Sequence, residues 1–193
     1  MTYTLPLGST PPNFRLKGTD GKYYALNNFN NDKVLVIFFT CNHCPFVFGS
    51  DEITRQTAEK YQDRGVVFIG INSNNAISYP EDSFEKMVER MNTHHFPWYY
   101  LHDEKQEIAL QYGALRTPHF FVFDDKRYLI YTGRGIDSPR DPSKMTVNDL
   151  ENALEDYFQG QPVRKPLTNP IGCNIKWEGK DKHWMPDEAC DLI

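Results

Sequence analysis

At 193 residues the chain has room for one domain with a sizeable core plus an appendage, and two large domains are excluded. Its hydrophobic fraction of 39% is below the roughly 45–50% of an average globular domain, but 14% aromatic residues supply large side chains that each bury much area, which excludes a disordered or fibrous chain. Lys and Arg (21) against Asp and Glu (26) leave a net charge of -5 with no basic stripe, so no nucleic-acid partner is expected. Residues 1–12 hold no Lys or Arg and no apolar stretch of signal-peptide type. The longest apolar run, Val34–Phe39, is too short to span a membrane, and the chain reads as soluble and cytoplasmic.

In chain order, extended segments at 13–16 and 23–26 flank Asp20-Gly21, which predicts an N-terminal β-hairpin. Residues 33–40 (KVLVIFFT) are almost unbroken apolar, β-branched and aromatic sequence, as in a central strand buried on both faces. After Pro45, the residues Phe46, Ser50, Ile53, Thr57 and Tyr61 recur at helical spacing and Gly65 ends the segment. A second buried strand at 66–72 (VVFIGIN) completes a βαβ unit with parallel strands. A helix is predicted over 81–93, with Ser78 and Glu81 as a capping box and Phe84, Met87, Val88 and Met91 on its apolar face. Residues 98–101 read as a short strand or extended link, and Asp103 as the cap of a helix ending at Tyr112-Gly113. Residues 119–124 and 127–132 suggest an antiparallel hairpin, 133–143 a loop, and Thr146 with Asp149 the start of a last helix ending near Gly160. The division expected is a redox domain over 1–160 and a proline-rich tail over 161–193, in which Ile171, Cys173, Ile175 and Trp177 alternate as on an extended segment with one buried face.

The four cysteines, Cys41, Cys44, Cys173 and Cys190, are too few for a disulfide scaffold in a chain this long. Cys41-Asn42-His43-Cys44 falls where a buried strand meets a helix, and this spacing closes a small disulfide ring with little backbone movement. The helix N-terminus is expected to favour the Cys41 thiolate. His43 is either a donor or cation assisting that thiolate, or an exposed loop histidine. Two other readings stand beside the redox one: half of a zinc site completed by Cys173, Cys190 or a histidine, and a pair of inert core cysteines.

The order strand, Cys-x-x-Cys, helix, strand, helix, Tyr112-Gly113, Arg116-Thr117-Pro118, hairpin and final helix resembles the thioredoxin fold. The opening GSTPPNF with Leu16, Gly21 and Leu26 looks like the start of the alkyl hydroperoxide reductase/thiol-specific antioxidant branch. Through Asp141-Pro142-Ser143-Lys144 and 171–177 (IGCNIKW), nearly the whole chain is similar to peroxiredoxin-like thioredoxin-family proteins. The resemblance implies an α/β, glutaredoxin-type three-layer fold with a central mixed sheet. It further implies Cys41 as the attacking thiol, Cys44 as the resolving one, and a cis Thr117-Pro118 bond opposite them whose backbone is free to pair with substrate.

Two features depart from the family patterns. Counting back from Cys44, the Pro and Thr positions of a peroxidatic Pro-x-x-x-Thr-x-x-Cys frame hold Ile37 and Cys41, and the strand before the motif contains no carboxylate to act as proton acceptor. His119, next to Pro118, is the candidate acceptor. Cys173 is either a third redox thiol or a buried cysteine packed with Trp177, and Cys190 is read as incidental. His94-His95 and Asp124-Asp125 are read as surface residues. The function expected is thiol-disulfide exchange with an antioxidant role. Its substrate would be a protein or small-molecule thiol or disulfide, a separate thiol reductant would return the electrons, and no cofactor or metal is needed. The alternatives are a thiol-dependent peroxidase and a redox-inactive binding module.

Overall fold

The computed structural model describes residues 3–192, with side chains described through Ala189. The hairpin forms from β1 (Arg15–Gly18) and β2 (Tyr23–Ala25), with Arg15 opposite Ala25. β3 (Val34–Phe39) is buried throughout; α1 (Pro45–Gln62) carries the chain over to β4 (Val66–Asn72), which lies parallel to β3. α2 (Phe84–His94) leads to β5 (Tyr99–His102), parallel to β4, and then come α3 (Glu107–Tyr112) and β6 (Arg116–Thr117). The second hairpin is β7 (His119–Phe123) with β8 (Leu129–Gly133), and α4 (Asp149–Phe158) and β9 (Cys173–Asn174) complete the set. The main sheet is mixed, in the order β2-β1-β5-β4-β3-β7-β8, and β6 and β9 form a separate antiparallel ladder.

Period-two alternation on β3 sorts the core into two layers. Val34, Val36 and Phe38 join Ala58 and Tyr61 of α1, Met87 of α2 and Leu150 and Leu154 of α4. Leu35, Ile37 and Phe39 face the other way, onto Ile108, Ala109 and Tyr112 of α3. Helices therefore cover both faces of the mixed sheet, which is the expected three-layer α/β arrangement.

Helix starts differ from the sequence expectation. Residues 80–82 form a separate 3-10 turn rather than the first turn of α2, and the cap is Ser83, whose hydroxyl accepts the Lys86 N–H at 3.4 Å, not Ser78. Pro80 fixes this short turn, and Asp82 is drawn inward by buried hydrogen bonds instead of continuing the helix. At α4 the cap is Asn148, accepting from Glu151 N–H at 3.0 Å, while the Thr146 hydroxyl donates to Asp137. Asp103 satisfies the N–H groups of Ile108 and Ala109 from before α3, with Gln106 at the cap position. α1 buries Val47, Thr54 and Ala58 along with Ser50, Thr57 and Tyr61, leaving Phe46 and Ile53 only partly buried.

Beyond α4 the chain returns along the domain. Thr168 N–H donates to Thr132 O at 3.1 Å and Thr132 N–H to Pro166 O at 3.0 Å, beside β8. It then crosses to β6, where Thr117 pairs with Cys173 and Arg116 with Asn174, and Ile175 enters the core layer under α3.

Candidate functional site

β3 delivers the chain to Cys41 at one end of the sheet, and the turn 41–44 feeds directly into α1. Pro45 occupies the first helical position, where its missing N–H costs nothing, so the helix begins there and Cys44 is its N-cap. Placing the helix N-terminus at Cys41 is thus corrected: it is Cys44 that faces the unpaired helix N–H groups. The Thr117-Pro118 peptide bond is cis and Thr117 stands against both sulfurs. Cys41 Sγ lies 3.3 Å from Thr117 Oγ1, and Cys44 Sγ lies 3.3 Å from Thr117 O, to which it donates when it carries its proton. Cys41 and Cys44 are both 0% exposed, Cys173 packs against them partly exposed, and all three are free thiols. Cys41, expected from the resemblance to be the attacking thiol, is thus wholly covered, as is Cys44. Equally, the Thr117 backbone expected to be open to substrate pairs with the chain's own tail.

Cys41, Cys44 and Cys173 pack in one cluster with Cys44 interacting with both of the others, so they share one favourable position for negative charge. Hydrogen bonds from the thiols of Cys173 and Cys41, joined by the N–H groups of Cys173 and Val47, hold the Cys44 thiol far below the ordinary cysteine range despite its burial. Burial pushes the Cys41 thiol well up, with its bond to Cys44 and the Asp82 charge adding to the effect. Cys173 is likewise raised, first by donating to Cys44 and then by burial, while Lys176 and Arg116 pull the other way. Of the three thiols, Cys44 is the one whose ionisation these contacts favour.

The carboxylate missing from β3 is supplied by Asp82, from the 3-10 turn before α2. Fully buried, it accepts Asn42 N–H at 2.6 Å and Asn72 Nδ2 at 3.2 Å on one oxygen, and His43 Nδ1 at 2.6 Å and Asn74 Nδ2 at 2.8 Å on the other. Burial works against its charge, but the bonds from His43, Asn42 and Asn74 outweigh it and its pKa is lowered. The Asp82 hydrogen bond raises the His43 pKa in turn. His43 also stacks on Tyr79 at 5.3 Å between ring centroids. One His43 ring nitrogen, one Asp82 oxygen and Cys41 Sγ lie within 4.8 Å of one another. That set has the residue types of a metal site, but both Asp82 oxygens already accept from four donors within the protein. Nothing local in the sequence marks Asp82, an acidic residue in what reads as a first helical turn; only the fold brings it to the cysteines.

His119 lies in the core, away from the exposed hairpin surface. Its Nδ1 accepts Leu115 N–H at 3.3 Å, its Nε2 pairs with Thr132 Oγ1 at 3.1 Å, and burial lowers its pKa to about 3, so both nitrogens are committed and it is not the proton acceptor. His94 and His95 are exposed, and Asp124 serves its own turn by accepting from Lys126 and Tyr128 N–H. The side chain of Cys190 lies outside the described residues. Among the described residues no helix is long and apolar enough to cross a membrane.

The Redoxin family matches residues 6–154. A chloroplastic peroxiredoxin Q of Triticum aestivum is 31% identical over 152 residues, covering 75% of this chain and 66% of the wheat protein, so the chain spans a little under two thirds of that relative's length. The crystal structure of an uncharacterized conserved protein from Geobacillus kaustophilus superposes with a TM-score of 0.86 at 38% identity, covering 93% of this chain and 96% of that one. The thioredoxin domain of a thiol-disulfide oxidoreductase from Bacteroides vulgatus gives a TM-score of 0.60 at 18% identity, covering 80% of this chain and 99% of that one, a likeness of fold. The chloroplast in the wheat protein's name gives no support to a cytoplasmic location here. With the thioredoxin arrangement of strands and helices, and with peroxiredoxin Q among its relatives, the chain belongs to the Redoxin family as a peroxiredoxin-like protein of the thioredoxin fold.

Proposed function

We propose that the protein is a thiol-disulfide oxidoreductase in which Cys41 and Cys44 interconvert between dithiol and disulfide. The observation that carries this reading is the pair of buried sulfurs meeting at the start of α1, both in contact with Thr117. A substrate disulfide is attacked by the Cys44 thiolate, forming a mixed disulfide and releasing one thiolate. Cys41 then gives up its proton, with His43 and Asp82 as the adjacent carrier, and displaces the second substrate thiolate to close Cys41–Cys44. The substrate is a protein or small-molecule disulfide, and a separate thiol returns two electrons.

A second reading, thiol-dependent peroxide reduction, is favoured by the full burial of both sulfurs, which admits a small peroxide more readily than a folded protein. In it the thiolate becomes a sulfenic acid that condenses with the other cysteine, releasing water. Insulin reduction and hydrogen peroxide turnover, measured on one preparation with a common reductant, separate the two. Disulfide exchange is expected to be the faster, since the peroxidatic frame holds Ile37 and Cys41 in place of its Pro and Thr. Fast peroxide turnover with no insulin reduction would make the protein a peroxidase. Either activity should be lost in Cys44→Ser.

A further inference from the structure

The two cysteines of the proposed couple have no exposed surface, whereas the third cysteine of the cluster, Cys173, is partly exposed. In an antiparallel ladder, residues directly opposite project to the same face, and Cys173 is opposite Thr117, whose hydroxyl touches Cys41 and whose carbonyl touches Cys44. The tail is seated closely: Arg116 Nη1 donates to Gly172 O at 3.1 Å, and Ile175 N–H to Leu115 O at 3.2 Å. The buried Lys176, whose ammonium donates to Asn174 O at 2.9 Å, and Arg116 place two cations near the Cys173 sulfur.

Resting on the assignment of Cys41 and Cys44 as the redox couple, we propose that Cys173 is a third exchanging thiol, taking Cys44 over from Cys41 and so carrying the buried disulfide to the protein surface. The step is an isomerisation and balances without an outside oxidant. The Cys173 thiolate attacks Cys44 Sγ of the Cys41–Cys44 disulfide, the Cys44–Cys173 bond forms, the Cys41–Cys44 bond breaks, and Cys41 leaves as a thiolate that takes a proton from the His43 side. An external thiolate then attacks Cys173 Sγ, giving a mixed disulfide and releasing Cys44, and a second thiol frees Cys173 and leaves with the first as their disulfide.

The direction of gating follows from the same contacts. In the dithiol form the hydrogen bond to Cys44 and burial both keep Cys173 protonated; once Cys44 is in a disulfide the larger of these restraints is gone, and Lys176 and Arg116 work against the burial that remains.

The test oxidises the full-length protein, reduces it with glutathione, quenches with N-ethylmaleimide at intervals and maps disulfide-linked peptides. A transient Cys44–Cys173 linkage is expected in the wild type, and a stable one within a single chain in Cys41→Ser. Cys173→Ala is expected to keep forming Cys41–Cys44 yet to be reduced by glutathione at least tenfold more slowly. A Cys41–Cys44 bridge that forms normally while no Cys44–Cys173 linkage appears in the wild type or in Cys41→Ser overturns the relay and leaves the couple standing. Reduction of Cys173→Ala at the wild-type rate likewise overturns the relay. Absence of a Cys41–Cys44 bridge under every condition overturns the couple and the relay with it.

Discussion

A buried carboxylate is tolerable only when its lone pairs are filled, and Asp82 has four donors around it, one of them His43. Because folding raises the His43 pKa above its ordinary 6.5, the pair's contribution is complete below about pH 6.5 and is lost as pH rises through the raised value. His43→Gln should therefore cost about 1–3 kcal/mol near pH 6 and clearly less near pH 9, measured by denaturant unfolding at both. An equal cost at the two values would mean that the imidazole is neutral throughout. Folding has the opposite effect on His119, lowering its pKa to about 3, so its stabilising neutral form is fully present above about pH 6.5 and penalised below it. Stability should fall by about 1.4 kcal/mol per pH unit on acidification from this residue. The unfolding free energy of His119→Gln should show a shallower slope between about pH 6 and pH 4 than the wild type; parallel slopes would assign the acid sensitivity elsewhere.

At the scale of elements, caps are where local pattern and tertiary structure disagree. Ser83 holds the Lys86 N–H, while the exposed Ser78 side chain takes no part in starting α2. Ser83→Ala should cost about 1 kcal/mol and Ser78→Ala close to nothing; the reverse order in thermal unfolding would restore the capping box expected at Ser78. The strands were legible because β3 and β4 are apolar runs whose side chains have nowhere but the core to go. The start of α2 was not, because Asp82 is pulled out of helical register by partners at Asn42, His43, Asn72 and Asn74, two of them some forty residues away. The site divides in the same way. Cys41, Cys44 and Thr117 could be read from spacing and resemblance. The position of the helix N-terminus was misjudged because Pro45 starts α1 four residues after Cys41, and the placement of Asp82 beside the cysteines depends entirely on long-range contacts.

For the molecule as a whole, the unexpected feature is that the tail lies on the turn that was expected to receive substrate. Gly172 makes that fit possible by its lack of a side chain, not by unusual backbone angles. A Cβ added there would stand 2.0 Å from Thr117 O and 2.6 Å from Thr117 C, both rigid backbone atoms, so the β6–β9 ladder and the Arg116 bond to Gly172 O have to give way. If the tail is what hides the sulfurs, Gly172→Ala should raise the rate at which N-ethylmaleimide alkylates Cys44 and Cys41 at least tenfold. The lost contacts should lower the melting temperature by only a few degrees, since about 1 kcal/mol corresponds to roughly 2–4 °C at this size. Trp177 and Trp184, which meet edge to face at 6.2 Å within the tail, report through their fluorescence whether the segment has moved. A changed tryptophan signal with wild-type alkylation would mean that the cover over Cys41 and Cys44 comes from Thr117, Pro118 and α1 alone. Faster alkylation would make displacement of the tail the event that opens the site to large substrates.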